Sequence, residues 1–147
     1  MNMKNDPVVV ERIYDTPIET IWNALTDNNE IKKWYFKLED FKPKVGFKFD
    51  FTGGSGEGPQ YLHVCEITEI IENRKLAYSW RYDGYPGNSV VNWELFDQGD
   101  KTLVRITHTG LKSFAENGRD FSKESFKGGW TYFLDDALKG YLKQKDR

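Results

Sequence analysis

The chain has 147 residues, of which 38% are hydrophobic and 30% charged, and its formal net charge at pH 7 is −2. This length suits one domain with a substantial core, and the small negative charge argues against nucleic acid or an anionic membrane as a partner, because both favour a basic surface. The only cysteine, Cys65, excludes an internal disulfide and indicates a reducing compartment. No segment has the pattern of a membrane span or a signal peptide, so we expect a cytoplasmic protein.

The beginning of the chain predicts a strand followed by two short helices. Residues 8–14 are apolar and rich in β-branched side chains, as in a strand. Thr16 is the expected N-cap of the first helix, with a proline at the first helical position and Glu19 closing a capping box. Either Asn28 or Asn29 is expected to cap the second helix.

The middle of the chain predicts five strands. Phe47, Phe49 and Phe51 alternate with polar residues, which is the period-two pattern of a strand with one buried face. Four further runs of β-branched and aromatic residues follow, separated by turn-forming residues. The predicted later strands lie at 61–71, 75–82, 89–96 and 101–108, with hairpin turns at Asn73-Arg74 and Gln98-Gly99.

The expected turns also predict the register of two hairpins. In the first hairpin Ile67 should lie opposite Trp80, and in the second Trp93 should lie opposite Val104. Both pairings put large apolar side chains on a shared face, as expected for an antiparallel sheet that covers a core on one side.

The last stretch, from Ser122 to about residue 145, predicts a long amphipathic helix. Ser122 is the expected N-cap, and Glu124 lies in the first turn, where the helix dipole favours an anion. Gly128 and Gly129 lie inside this helix, where each costs up to about 1 kcal/mol relative to alanine. We therefore expect a packing or functional reason for them, such as the close approach of another backbone. The apolar stripe consists of Phe126, Trp130, Phe133, Leu134, Ala137, Leu138, Tyr141 and Leu142.

The alternation along the predicted strands and the spacing along the predicted helix place many aromatic side chains on one inward face. The aromatic content of 16% is more than a core of this size needs, which favours a cavity for a small hydrophobic ligand. The alternative is that the same rings fill a solid core. The candidate ligand-binding residues are Phe49, Phe51, Tyr61, His63, Tyr78, Trp80, Tyr82, Trp93, Ile106, His108, Trp130, Phe133, Leu134 and Ala137.

His63 and His108 are the only histidines, and parity places both on the inward face. Each is either a general base or ligand-binding group, or a structural residue that is hydrogen-bonded within the core. We favour the structural role for both. No set of Asp, Glu or Cys clusters with them, so we expect neither a metal site nor a cofactor. Cys65 has no CxxC partner and no cationic neighbour, so we expect it to be buried and unreactive.

A glycine-rich run at 53–58 lacks the Gly-Lys-Ser/Thr ending of a P-loop and precedes a strand rather than a helix. We therefore expect a mobile loop near the mouth of the cavity and no phosphate site. Signatures of a nucleophilic serine, a zinc-protease helix or paired catalytic carboxylates are absent from the sequence.

The order strand, two helices, five strands and long helix resembles the START-like (SRPBCC) superfamily. Within it, the sequence is similar to bacterial stand-alone proteins of the AHSA1-like family, which resemble the C-terminal domain of the Hsp90 ATPase activator. The resemblance implies an α+β helix-grip fold over residues 1–147, with a curved antiparallel sheet of about six strands around the long C-terminal helix. The segments that carry it are Thr16-Pro17 to Trp22, Trp34, Leu76 to Trp80, Asn88 to Leu95, Thr107 to Leu111, and Gly129-Trp130.

Three functions are compatible with this resemblance. The first is non-enzymatic binding of a small hydrophobic ligand, aromatic or lipid-like, between the sheet and the helix. The second is an enzyme similar to the aromatase/cyclase members, in which a cavity His or Tyr moves a proton. The third is a co-chaperone-like interaction module. The sequence has no counterpart of the N-terminal domain with which eukaryotic activators engage the chaperone, which argues against a chaperone partner, and a homodimer is compatible with the sequence.

Overall fold

The computed structural model describes residues 7–35, 38, 40–54, 58–118 and 121–145. One strand, β1, is followed by two short helices, a run of five strands and the long C-terminal helix, as the sequence predicts. A 3-10 helix at Leu111–Asn117 precedes the long helix. The elements are β1 (Val8–Tyr14), α1 (Ile18–Thr26), α2 (Asn28–Trp34), β2 (Lys48–Gly54), β3 (Gln60–Ile71), β4 (Lys75–Tyr82), β5 (Ser89–Gln98), β6 (Lys101–Thr109) and α3 (residues 123–145).

The six strands form one curved antiparallel sheet in the order β1-β6-β5-β4-β3-β2. The connection through α1 and α2 carries the chain from β1 at one edge to β2 at the other, and α3 covers the concave face between them. The predicted α+β helix-grip fold is therefore confirmed. Within the described ranges, no helix is both long and apolar enough to cross a membrane.

The register of the second hairpin differs from the prediction by two residues. Trp93 lies opposite Ile106, not opposite Val104, because the strands pair out to Gln98 and Lys101 and the turn is formed by the next two residues. A shift of two residues keeps every side chain on its predicted face. The inward direction of Trp93 is unchanged, and it is fully buried.

The first hairpin also differs by two residues, but in the opposite direction and for another reason. Ile67 lies opposite Tyr78, not opposite Trp80, because the turn contains three residues and a β-bulge follows between Ile67 and Glu69. Asn73 adopts the left-handed conformation that this turn requires, with φ of 62°. The three-residue turn alone would reverse the faces, and the extra residue of the bulge restores them. Ile67 and Trp80 therefore still share the buried face.

The start of α1 is not capped as predicted. Pro17 occupies the N-cap position without a side-chain hydrogen bond to the helix, so neither Thr16 nor Glu19 forms the expected capping box. Thr16 is buried instead, and its carbonyl accepts a hydrogen bond of 2.8 Å from the Thr102 hydroxyl of β6. A tertiary contact with the sheet has replaced the local one.

The cap of α2 is Asp27 rather than Asn28 or Asn29. Its carboxylate accepts from the backbone N–H groups of Asn29 and Glu30, at 3.0 and 3.1 Å. Asn28 is already helical, and its side-chain oxygen accepts from the backbone N–H of Phe41 at 2.9 Å. Asp27 therefore caps the helix, and the Asn28 side chain binds the backbone of the segment that leads to β2.

The long helix begins as predicted but changes its hydrogen-bond pattern midway. Ser122 caps it by accepting from the backbone N–H of Ser125 at 3.2 Å. The helix is α-helical at Lys123–Tyr132, becomes a π-helix at Phe133–Leu138 and is α-helical again at Lys139–Lys145. The sequence does not predict the π-helical segment, in which each bond spans five residues instead of four.

Side chains of β1 hold the π-helical segment against the sheet. The Tyr14 hydroxyl donates a buried hydrogen bond of 2.6 Å to the Leu134 carbonyl. The Arg12 guanidinium makes two hydrogen bonds to the exposed Asp135 carboxylate, at 2.7 and 3.1 Å. The buried bond is the more valuable of the two contacts, because water screens the exposed ion pair and leaves it worth little.

We predict that Tyr14→Phe lowers the free energy of unfolding by about 1–3 kcal/mol, because the buried Leu134 carbonyl loses its hydroxyl donor. Urea denaturation of the variant and the parent measures the difference. Tyr132→Phe is the matched control, because Tyr132 is 54% exposed, and its effect should stay within about 0.5 kcal/mol. Equal stability of Tyr14→Phe and the parent would show that this bond does not anchor the helix.

Candidate functional site

A cavity of about 430 Å³ lies between the sheet and the N-terminal half of α3. Its walls come from the end of β2, the start of β3, the end of β4 and the first three turns of α3. The volume lies within the range of ligand pockets in proteins, which is roughly 300–1,000 Å³. The lining residues are Gly53, Gly54, Tyr61, His63, Trp80, Tyr82, Phe121, Ser125, Phe126, Gly129, Trp130, Tyr132 and Phe133.

The structure places the predicted ligand-binding residues in two groups. The first group lines the cavity and consists of Tyr61, His63, Trp80, Tyr82, Trp130 and Phe133. The second group does not line the cavity and consists of Phe49, Phe51, Tyr78, Trp93, Ile106, His108, Leu134 and Ala137. The first group borders the open space, and the second group packs as core.

Tyr35 separates the hollow end from the solid end. This residue follows α2 and is buried, with its ring stacked on that of Trp130 at a centroid distance of 6.5 Å. Its hydroxyl shares a hydrogen bond of 2.8 Å with the Tyr78 hydroxyl, which also accepts from the indole N–H of Trp93 at 2.9 Å. Tyr35 therefore fills the space beside Trp93 that a ligand would otherwise reach.

Several lining residues were not predicted. Gly53 and Gly54, which were expected only as part of a loop near the mouth of the cavity, are the last residues of β2, and Phe121 precedes the long helix. The others lie on α3, where Ser125, Gly129 and Tyr132 are spaced by four and three residues and therefore share one face. That spacing was readable from the sequence, but the face contains a serine and a glycine, and a search for apolar periodicity passes over it.

The two glycines inside α3 do not have the predicted packing role. Apart from the neighbouring residues and backbone of the same helix, no described atom lies within 4 Å of the position that a Cβ would take at Gly128 or at Gly129, so no other described segment of backbone approaches them. Gly129 borders the cavity, whereas Gly128 does not. The missing side chain at Gly129 therefore leaves open space at the cavity wall. Of the expected mobile loop at 53–58, residues 55–57 lie outside the described residues.

His63 lines the cavity as a neutral side chain. Its Nδ1 lies 3.0 Å from the Tyr61 carbonyl, which can only accept, so Nδ1 carries the proton. The imidazole stacks on Phe51 at a centroid distance of 4.5 Å. Burial lowers the pKa of His63 to about 4, although hydrogen bonding to the Tyr61 and Phe51 backbone raises it. The side chain is therefore uncharged at pH 7.

Tyr82 stands next to His63 on the same wall. Its hydroxyl accepts a hydrogen bond of 2.8 Å from the indole N–H of Trp80, and burial raises its pKa above the ordinary value of a tyrosine. The hydroxyl is therefore a neutral group that keeps its proton at every physiological pH. No Asp, Glu, Lys or Arg belongs to the described cavity lining.

His108 lies behind the cavity wall in a chain of buried hydrogen bonds. The Trp130 indole N–H donates to Nδ1 of His108 at 3.1 Å, and Nε2 lies 2.8 Å from the Ser89 hydroxyl oxygen. Because an indole can only donate, Nδ1 has no proton and Nε2 donates to Ser89. The Ser89 hydroxyl then donates to the Trp80 carbonyl at 2.8 Å. This geometry gives His108 a structural role that joins the helix to β6, β5 and β4.

Burial lowers the pKa of His108 to about 3, and it raises the pKa of the Cys65 thiol. Both groups therefore stay neutral at physiological pH. Cys65 is buried as predicted, and its thiol lacks the thiolate character that a nucleophile needs.

A six-stranded antiparallel sheet that curves around one long helix, with a cavity between the two, defines a helix-grip protein. The chain belongs to the family of Activator of Hsp90 ATPase homolog 1-like proteins, whose model matches residues 15–143. Most of the chain, from the end of β1 to α3, is therefore covered by the family. The comparison with curated proteins gives no match.

Solved structures with the same fold include protein MLL2253 from Mesorhizobium loti, which is 30% identical with a TM-score of 0.76 over 96% of this chain and 99% of that one. CalU16 from Micromonospora echinospora is 26% identical with a TM-score of 0.70, over 91% of this chain and 74% of that one. DynU16, from the dynemicin biosynthetic locus, is 20% identical with a TM-score of 0.76. The match covers 95% of this chain and 48% of DynU16, and that likeness shows the fold alone.

The two buried histidines predict that acid destabilises the fold. A histidine in the unfolded chain has a pKa of about 6.5, whereas the pKa values of His63 and His108 in the folded chain are much lower. Below pH 6.5 the unfolded chain therefore binds more protons than the folded chain, which favours unfolding. Their effect on stability should be absent above pH 7. Between pH 6.5 and 5, each histidine should lower the free energy of unfolding by roughly 2 kcal/mol.

Urea denaturation at pH 7 and at pH 5 measures this loss. His108→Asn keeps a donor and an acceptor in the side chain but cannot titrate, so we expect its loss between the two pH values to be about half that of the parent. A variant that loses as much stability as the parent would show that His108 does not stay neutral in the folded state.

Proposed function

We propose that the chain binds a small, uncharged hydrophobic molecule in the cavity without transforming it chemically. The observation that carries this proposal is the cavity of about 430 Å³ with aromatic walls and no charged side chain among its described lining residues. Trp80, Trp130 and Phe133 supply large apolar surfaces, which bind rings and alkyl chains by burial and by edge or stacking contacts. Charged molecules would lose their hydration in this cavity without gaining a counter-ion.

The chemistry of the titratable groups favours binding over catalysis. An effective general base has a pKa near the working pH, whereas burial lowers the pKa of His63 to about 4. Its Nδ1 is also bound to the Tyr61 carbonyl. Tyr82 holds its proton because burial raises its pKa. Neither side chain is suited to accepting and returning a proton at pH 7, as the cyclase-like alternative requires.

Fluorescence titration with N-phenyl-1-naphthylamine, a neutral dye that brightens in apolar surroundings, tests the proposal. We expect saturable binding with one site per chain. Gly129→Leu should weaken binding about tenfold or more, because the new side chain occupies cavity space in which no atom lies within 4 Å of its Cβ position.

Gly128→Leu is the matched control, because it makes the same change one residue earlier, outside the cavity lining. Both variants should gain up to about 1 kcal/mol of stability from better helix propensity, so any difference in dye binding reports the cavity. Dye binding that is equal in the two variants would place the dye elsewhere and would contradict the proposed site.

A further inference from the structure

The hydroxyl of Tyr82 can donate a hydrogen bond that no described residue of the protein accepts. It accepts from the Trp80 indole, but no described residue accepts its proton. Other tyrosines donate a hydrogen bond within the protein: Tyr14 donates to the Leu134 carbonyl, and Tyr141 donates to the Glu30 carboxylate. A phenolic hydroxyl can donate one hydrogen bond and accept others, so the donor of Tyr82 is available to a molecule in the cavity.

Burial makes this free donor significant. Tyr82 is 5% exposed and belongs to the inner wall, whereas Tyr132 at the rim is 54% exposed and can exchange hydrogen bonds with water. A buried donor without an acceptor costs free energy, which a ligand with an acceptor at this position restores. The bond from Trp80 also fixes the hydroxyl oxygen, so the donor is held in place before a ligand arrives.

The surroundings of Tyr82 define the kind of acceptor that fits. His63 is a centroid distance of 4.7 Å from the Tyr82 ring and is neutral, and the described lining contains no cationic side chain. A carboxylate or phenolate would therefore lose its hydration without a cationic partner among the described lining residues. A ketone, ester or ether oxygen needs only that one donor. The rings of Tyr61 and Phe121 pack edge-on against that of Tyr82, at centroid distances of 5.9 and 4.7 Å, and make this part of the wall aromatic.

We infer that the cavity is built for an uncharged aromatic molecule with a neutral hydrogen-bond acceptor, such as an aryl ketone, whose oxygen takes the proton of the Tyr82 hydroxyl. This inference rests on the proposed function and names the chemical class of its ligand. The acceptor lies at the inner wall, and the remainder of the molecule extends past Trp130 toward the opening beside Gly129.

Three probes of similar shape test separately the hydrogen bond from Tyr82 and the requirement for an uncharged ligand. Benzophenone carries the ketone, diphenylmethane has the same two rings without it, and 4-benzoylbenzoate adds a negative charge. Their affinities are measured by displacement of N-phenyl-1-naphthylamine from the parent and from Tyr82→Phe. We expect the affinity ratio of benzophenone to diphenylmethane to fall by about fivefold or more in Tyr82→Phe, as for the loss of one hydrogen bond. Tyr85→Phe, at a tyrosine that is 42% exposed and does not line the cavity, should leave the ratio unchanged.

The ratio isolates the hydrogen bond from any structural effect of the variant. Tyr82→Phe also removes the acceptor of the Trp80 indole, but a disturbed wall weakens both neutral probes alike and leaves their ratio unchanged. An unchanged ratio would therefore overturn the role of Tyr82. Binding of 4-benzoylbenzoate as tight as that of benzophenone would overturn the requirement for an uncharged ligand.

An infrared measurement on the parent protein makes the test independent of how the variant folds. The carbonyl stretch of bound ¹³C-labelled benzophenone should lie at lower frequency than in hexane, because a hydrogen bond weakens the C=O bond. A frequency equal to that in hexane would overturn the inference while leaving the proposed function intact. If neither the dye nor any probe binds the parent, the proposed function fails, and this inference fails with it.

Discussion

The hydrogen bond between Trp130 and His108 determines how the long helix lies on the sheet. Its direction is fixed, because the indole only donates, and it forces His108 into the tautomer that donates to Ser89. Ser89 in turn binds the Trp80 carbonyl, so one helix residue is tied to three strands through groups that water does not reach. Rotating the helix would leave a buried donor and a buried acceptor without partners, each at a cost of about 1–3 kcal/mol. The same chain holds Trp130 against Trp80, at a ring distance of 5.4 Å, as part of the cavity wall.

The interior is solid or hollow according to what faces the helix on each side of Trp130. On one side the Tyr35 ring stacks on the Trp130 ring, and its hydroxyl shares a hydrogen bond with the Tyr78 hydroxyl. The space on this side is therefore filled, and its polar groups have hydrogen-bond partners. On the other side the helix presents Gly129, which has no side chain to fill the gap. Close packing is the normal state of a protein interior, so a hollow end beside a fully packed one requires this kind of local cause. Gly129 borders the hollow end and contributes no side chain to it.

Periodicity in the sequence predicted the elements and their faces, because alternation along β2 to β6 and helical spacing along α3 are direct consequences of which side meets the core. Errors of two residues in hairpin register left those faces unchanged. The bulge after Ile67 was not predictable, since it depends on how a three-residue turn meets the demands of the buried face. Nor was the π-helical segment, since Phe133, Leu134 and Leu138 have spacings that either helix accepts. The role of Tyr35 arises only from tertiary contacts, because nothing in the sequence near α2 indicates which rings it will meet.

Selectivity in the proposed cavity depends more on its polar groups than on its aromatic walls. Aromatic walls such as those formed by Trp80 and Trp130 reward apolar area but distinguish poorly between molecules that differ by a methylene, for which a pocket gains only about 1–3 kcal/mol. Polar groups discriminate more sharply, because a mismatched ligand leaves them unpaired. In this cavity the discriminating features are the neutrality of His63 and the spare donor of Tyr82, both of which come from burial and neighbouring contacts rather than from residue type. We therefore expect selectivity for a chemical class, defined by charge and by one acceptor, with tolerance for the size and substitution of the rings.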